Sequence, residues 1–102
     1  MKPLKSNKLR KSAQGKDCTL RVPGACCFDP DYTSLNHITT KKFSSMGGKV
    51  NDTFAVYGCT PCHDIIDRRV KSNFTDGELA IYKLDALAET QAIMIEEGLI
   101  KV

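Results

Sequence analysis

The C-terminal quarter of the chain has the clearest pattern of apolar and polar positions. Apolar residues recur there at helical spacing; Thr75 or Asp76 can cap a helix that runs to about Glu97, and Gly98 can end it. On a helical wheel one side is apolar, and its members are Ala80, Ile81, Leu84, Leu87, Ala88, Ala92, Met94 and Ile95. The pattern predicts a long amphipathic helix that buries this stripe in the core.

The earlier part of the chain has shorter patterns, typical of strands and turns. Residues 32–39 are rich in β-branched and aromatic types and predict a strand in which Leu35 shares one face with His37 and Asn36 shares the other with Ile38. Residues 18–22 predict a short strand before a Pro-Gly turn. A short helix over residues 8–14 and an apolar stretch at 53–57 complete a small α+β domain.

Five cysteines add a candidate metal centre to this outline. Cys59 and Cys62 are separated by two residues, the spacing with which two thiolates close on one metal ion. The predicted turn after residue 22 brings Cys18 and Cys26 to the two sides of a loop, so a four-thiolate zinc site is expected from these two pairs. Cys27 could replace Cys26, but seven residues between the thiols leave room for the turn and favour Cys26.

The second cysteine pair runs directly into a polar pair. If a helix begins at about Cys62, His63 and Asp67 project from one face, as two metal ligands or an acid and a base require. Three other interpretations are open: a c-type haem attachment site, a redox dithiol and a purely structural zinc corner. The first two are disfavoured because residues 1–8 have no apolar core typical of a signal peptide and no βαβ pattern precedes the cysteines.

Composition narrows the function further. The 102 residues suffice for one small domain, and cysteines without an export signal indicate a reducing compartment, the cytoplasm. No apolar run reaches the length of a membrane span, so we expect a soluble protein without a membrane partner. Residues 1–75 hold thirteen Lys/Arg against six Asp/Glu, net +7, whereas residues 76–102 hold two against six, net −4.

The basic part contains the cysteines, and this combination predicts a polyanionic partner, most simply nucleic acid. Residues 1–16 are expected to form a basic, partly flexible segment, and residues 17–102 the folded domain. The basic loop at residues 41–49 could close on a phosphate backbone. The candidate phosphate contacts are Lys8, Arg10, Lys11, Lys41, Lys42, Arg68 and Arg69.

In order, the chain presents a cysteine pair, Asn36-His37-Ile38 on a strand, a loop, Asn51-Asp52, and Cys59-x-x-Cys62 followed by His63. This arrangement resembles the HNH endonuclease superfamily, and most closely the short nucleases of lambdoid phages and prophages. The stretches that carry this closer likeness are residues 10–13, 21–24, 59–69 and 97–101. The resemblance implies a zinc-stabilised ββα-metal domain with a long C-terminal helix, encoded by a phage or prophage.

The resemblance also implies roles for single residues. His37 corresponds to the general base. His63 and Asp67, with Asn36, correspond to ligands of a catalytic divalent cation. Magnesium or manganese is expected there, and zinc or nickel is acceptable. Asn51 or Asp52 occupies the central position, and Asp52 would orient His37 or bind the ion. The expected activity is hydrolysis of DNA phosphodiester bonds.

Two rival functions are compatible with the same residues. A zinc-bound module could bind nucleic acid without catalysis, and an adaptor could use the long acidic helix in a phage assembly. The substrate structure and the oligomeric state, including a dimer, are left open by the sequence.

Overall fold

The structure is a computed structural model in which residues 6–38 and 52–100 are described. Its elements in chain order are α1 (Asn7–Ser12), a 3-10 turn (Pro30–Tyr32), β1 (Thr33–His37), β2 (Ala55–Cys59), α2 (Thr60–Ile66) and α3 (Asp76–Glu96). This order confirms the expected small α+β class with a long C-terminal helix. Within the described ranges, no helix has both the length and the apolarity needed to cross a membrane.

The two strands pair antiparallel and carry a different core on each face. The register sets Asn36 opposite Val56 and Leu35 opposite Tyr57. Val56 and Ile38 pack in one cluster with the buried residues of α2, whereas Leu35 and Tyr57 pack in a second cluster with α1 and the end of α3. Every residue of β2 is therefore buried, and the predicted alternation of faces along residues 35–38 is confirmed.

The strand expected at residues 18–22 does not form. Arg21 has a φ of 45°, which interrupts an extended run, and the segment joins β2 through a single backbone hydrogen bond, from Thr19 N to Tyr57 O at 2.6 Å. The turn that follows is present. Gly24 has a φ of 77°, a conformation suited to glycine, and the N–H of Cys26 returns to Val22 O.

Helix α1 covers residues 7–12, so it begins one residue before and ends two residues before the predicted range of 8–14. Ser6 caps it, because its Oγ accepts a hydrogen bond from Leu9 N at 3.2 Å. Leu9 and Ala13 are buried against Tyr57 and Met94 in the second cluster. This part of the basic N-terminal segment thus packs on the body of the protein, and a domain boundary near residue 16 stays a prediction.

Helix α3 has the predicted bounds but buries a different side. Thr75 forms a capping box with Glu78, and the buried residues are Leu79, Ala86, Thr90 and Met94. The predicted stripe was wrong for most of its members, which are exposed: Ala80, Ile81, Leu84, Ala88, Ala92 and Ile95.

Helix α3 buries this other side because of a polar contact, which the pattern of apolar residues does not reveal. Thr90 faces the core because its Oγ1 accepts from Tyr57 N at 3.1 Å and also pairs with Thr19 Oγ1. The polar groups of β2 and of the neighbouring segment thereby fix which side of α3 turns inward.

Candidate functional site

Four of the five cysteines form one cluster. The Sγ atoms of Cys18, Cys26, Cys59 and Cys62 all lie within 4.8 Å of one another, and three of the four residues are buried. Tetrahedral zinc with Zn–S bonds of about 2.3 Å separates its sulfur ligands by about 3.8 Å, and Cys59 Sγ lies 3.9 Å from Cys26 Sγ. The cluster could hold a metal ion such as zinc. Cys27 is exposed and outside it, so the geometry agrees with the choice of Cys26.

Local structure explains how the second thiol pair is presented. Cys59 is the last residue of β2 and the N-cap of α2, and Cys62 lies in the first turn of that helix. The helix begins at Thr60, two residues earlier than predicted, with Pro61 in its first turn, where the missing N–H breaks no helical hydrogen bond.

The thiols of Cys18 and Cys62 affect each other's ionisation. The hydrogen bond with Cys62, together with backbone N–H groups, lowers the pKa of Cys18 to about 4. The same contact and burial raise the pKa of Cys62. The thiol of Cys18 therefore loses its proton easily, and the resulting thiolate opposes ionisation of Cys62. A bound cation removes that opposition, because a metal ion stabilises several thiolates at once.

His37 forms the second feature of the site, a contact with Asp52. His37 Nε2 lies 2.7 Å from Asp52 Oδ1; the carboxylate is fully buried, and the imidazole is 33% exposed. An ionised carboxylate only accepts hydrogen bonds, so in neutral His37 the proton sits on Nε2 and the lone pair on Nδ1. The contact with Asp52 thus orients the ring, and part of the imidazole is exposed to solvent.

Asp52 is held by the N-terminal helix as well. Its Oδ2 accepts from Ser6 N at 2.5 Å and from Arg10 Nε at 3.1 Å, and its Oδ1 accepts from Arg10 Nη2 at 3.3 Å. Burial raises the pKa of Asp52, but the hydrogen bonds from His37, Ser6 and Arg10 outweigh burial, and the pKa lies below its ordinary value of 3.8. The carboxylate is therefore charged at neutral pH.

Sequence reasoning missed this link between α1 and Asp52. A weak signal was present, because a capping box places Glu or Gln at the third helical position and this chain has Leu9 there. The N–H of Ser6 thus needs another acceptor, and Asp52 supplies it from 46 residues away. Nothing in the sequence specified which carboxylate this would be.

His63 and Asp67 form a separate pair on the flank of α2. His63 Nε2 lies 2.8 Å from Asp67 Oδ2, at the predicted spacing of four residues, and both side chains are partly exposed. Arg69 lies 3.9 Å from the same carboxylate. Among residues 6–38 and 52–100, the four-cysteine cluster is the only group of three or more His, Cys, Asp or Glu ligand atoms. His63 and Asp67 are therefore a pair of side chains in contact, outside any larger cluster of potential ligand atoms.

Asn36 lies on the α2 side of the sheet and is 2% exposed. Its Oδ1 accepts from Ser34 Oγ at 3.0 Å, and its Nδ2 has no hydrogen-bond partner among the described residues. The oxygen and nitrogen of an amide are assigned from their contacts. Exchanging them would let Nδ2 donate to Ser34 and leave the oxygen without a partner, packed against Gly58.

The basic residues proposed for phosphate contact differ in their surroundings. Lys8, Lys11 and Arg69 are exposed, whereas the guanidinium of Arg68 contacts Asp76 and the Phe74 carbonyl and ties the loop after α2 to the start of α3. Three candidate site residues lie outside the described residues. They are Lys41 and Lys42, predicted to contact phosphate, and Asn51, a candidate for the central position.

These features define a small α+β protein with a four-thiolate cluster and two histidine–carboxylate pairs. The chain belongs to the family described as "Putative nuclease YbcO", whose model matches residues 7–99. This membership agrees with the resemblance to short phage nucleases, while the relation to the HNH superfamily stays a prediction.

Named relatives have similar lengths. "Putative nuclease YbcO" of Escherichia coli (strain K12) and "Putative nuclease ybcO" of Enterobacteria phage 82 are each 40% identical over 94 residues, which is 91% of this chain and 96% of the relative. A solved structure described as "Structure of a putative bacteriophage protein from Escherichia coli str. K-12 substr. MG1655" is 38% identical, with a TM-score of 0.71 over 89% of this chain and 100% of that one.

Proposed function

We propose that the protein is a metal-dependent endonuclease of the HNH type that hydrolyses phosphodiester bonds in DNA. The names of its relatives support a nuclease, and one structural observation supports the mechanism: the 2.7 Å contact between His37 Nε2 and the buried carboxylate of Asp52. Such a pair is typical of an imidazole that must accept a proton in a fixed direction.

In this mechanism His37 is the general base. Asp52 holds the proton on Nε2, so Nδ1 takes a proton from the water that attacks phosphorus. The partial exposure of the imidazole lets water and a phosphodiester approach it. A neutral imidazole suits this task near neutral pH.

His63 and Asp67 would hold the catalytic cation, with Asn36 as a further ligand. Magnesium or manganese suits the carboxylate, and the imidazole also accepts zinc or nickel. A divalent cation held by these residues would supply positive charge for the phosphate oxygens and for the departing 3′ oxygen. A structural zinc would occupy Cys18, Cys26, Cys59 and Cys62.

Lys8 and Lys11 of α1, together with Arg69, would follow the DNA backbone, adding affinity without sequence preference. The place of action would be the bacterial cytoplasm, where phage or prophage DNA is found.

Nicking of supercoiled plasmid with magnesium or manganese tests the general base. The wild-type protein should nick the plasmid, and His37→Ala, purified with the same zinc content, should be slower by at least about 100-fold. If zinc-loaded wild-type protein cleaves neither plasmid nor single-stranded, branched or RNA substrates, the nuclease proposal fails and a binding module remains.

Metal titration tests the second cation separately. Wild-type protein should bind one Mn²⁺ beyond the metal on the cysteines, followed by electron paramagnetic resonance of the unbound ion. Asp67→Ala should lose that Mn²⁺ and keep the cysteine-bound metal, whereas Asp64→Ala, a matched charge loss on the same helix, should bind it normally. Retention of Mn²⁺ by both His63→Ala and Asp67→Ala would contradict this ligand assignment.

A further inference from the structure

We propose that Arg10 is a positioning residue of the active site. Arg10 holds the buried carboxylate of Asp52, and Asp52 in turn holds the ring of His37. This inference rests on the proposed function, because it takes His37 as the general base. It assigns Arg10 a role different from the sequence-independent phosphate contact expected from its charge.

The geometry around the carboxylate carries the inference. Each oxygen of Asp52 receives two donors: Oδ1 accepts from His37 and Arg10, and Oδ2 accepts from Ser6 N and Arg10 Nε. The side chain of Asp52 is 0% exposed, so these protein donors take the place of water. A carboxylate held at all four positions cannot rotate, and the orientation of the imidazole is therefore set from helix α1.

Arginine is suited to this role because its planar guanidinium donates two parallel hydrogen bonds, which a lysine cannot do. The other basic residues of α1 behave differently. Lys8 and Lys11 are exposed, as Arg10 is, but within the described ranges neither lysine forms an ion pair. Lys11 is therefore a matched control, since Lys11→Gln removes the same charge from the same helix without touching Asp52.

Binding and turnover separate the two possible roles of Arg10. For a positioning residue, Arg10→Gln should lower the single-turnover cleavage rate at saturating DNA by about 10-fold to 100-fold, while changing DNA affinity no more than Lys11→Gln. Arg10→Lys should restore part of the rate, and it replaces the Gln variant if that one does not fold. A weaker affinity, a salt slope smaller by about one and an unchanged rate would identify a phosphate contact and overturn the inference.

A second readout does not depend on cleavage. The chain has two histidines, so the ring ¹⁵N signals of His37 can be identified as those missing from His37→Ala. At a pH high enough for the imidazole to be neutral, wild-type His37 should be one tautomer with Nε2 protonated, and Arg10→Gln should show mixed tautomers. Identical His37 signals in wild type and Arg10→Gln would overturn the inference, whatever the plasmid assay shows.

Discussion

The side-chain amide of Asn36 lies directly on Gly58 of the neighbouring strand. A Cβ placed on Gly58 would be 2.1 Å from Asn36 Nδ2 and 2.7 Å from Leu20 Cδ1, both closer than atoms can pack. Glycine is thus required at this point of β2 by the residue that precedes the proposed general base. Both the packing of the first core cluster and the position of Asn36 depend on the absence of a side chain at Gly58.

We therefore expect Gly58→Ala to destabilise the protein by about 1–3 kcal/mol, because the added methyl group displaces the Asn36 amide and Leu20. Urea unfolding measures this. Gly77→Ala is the control: the nearest atom to its added Cβ is 3.9 Å away, and alanine favours the helix, so its stability should be unchanged or slightly higher. Equal stabilities of the two variants would contradict the contact.

The buried side of α3 can be tested by two truncations on the same helix. Met94 is 0% exposed in the second cluster, so Met94→Ala should cost about 2–5 kcal/mol. Leu84 is 67% exposed, and Leu84→Ala should change the free energy of unfolding by no more than about 0.5 kcal/mol. Chemical denaturation of both variants checks the pair of values. If Leu84→Ala were the more damaging change, the assignment of the two sides would be wrong.

The four-cysteine cluster should be essential to the fold. Replacing Cys59 or Cys62 by Ser should abolish cooperative unfolding and lower the bound metal, because metal binding at such a cluster adds folding free energy directly. Cys27→Ser is the matched control and should keep both. Metal analysis together with circular dichroism would show this, and a fully folded, metal-free Cys62→Ser protein would exclude a structural role for the cluster.

Asp52 predicts a pH dependence of stability. Its pKa is lowered in the folded protein, so the carboxylate stabilises the fold at pH values above the unfolded pKa of about 3.8, and this stabilisation is lost as pH falls through the lower folded value. Asp52→Asn should be less stable than wild type by about 2–3 kcal/mol at pH 7, and the difference should shrink below about pH 4. Urea unfolding across pH, with bound metal measured at each point, gives the comparison. A difference that stayed constant with pH would contradict the lowered pKa.

Local signals predicted much of this structure. The helical period and the cap at Thr75 gave the bounds of α3, and cysteine spacing with the Pro23-Gly24 turn gave the four members of the thiolate cluster. The spacing of His63 and Asp67 predicted that both side chains share one face, and the structure places them there in contact. Each of these depends on residues close in sequence or on a short turn between them.

Contacts between distant segments could not be predicted in the same way. Helix α3 is apolar on two sides. Its inner side is chosen by the hydrogen bonds that Thr90 forms with Tyr57 and Thr19, which precede it by 33 and 71 positions. Arg10 meets Asp52 across 42 residues, and its charge alone indicated only a phosphate contact. The strand expected at residues 18–22 does not form, because Arg21 adopts a positive φ in the loop that leads to Cys26.

The cysteine cluster joins two segments that are far apart in the chain, since Cys26 and Cys59 are 33 residues apart. Bringing the ends of such a loop together in an unfolded chain costs about 3 kcal/mol of entropy. Strands β1 and β2 both lie inside this loop. A metal ion that binds both cysteine pairs would offset that cost, because it would hold the two ends of the loop together around the paired strands. The metal-free chain would bear the whole cost of closing the loop that contains β1 and β2.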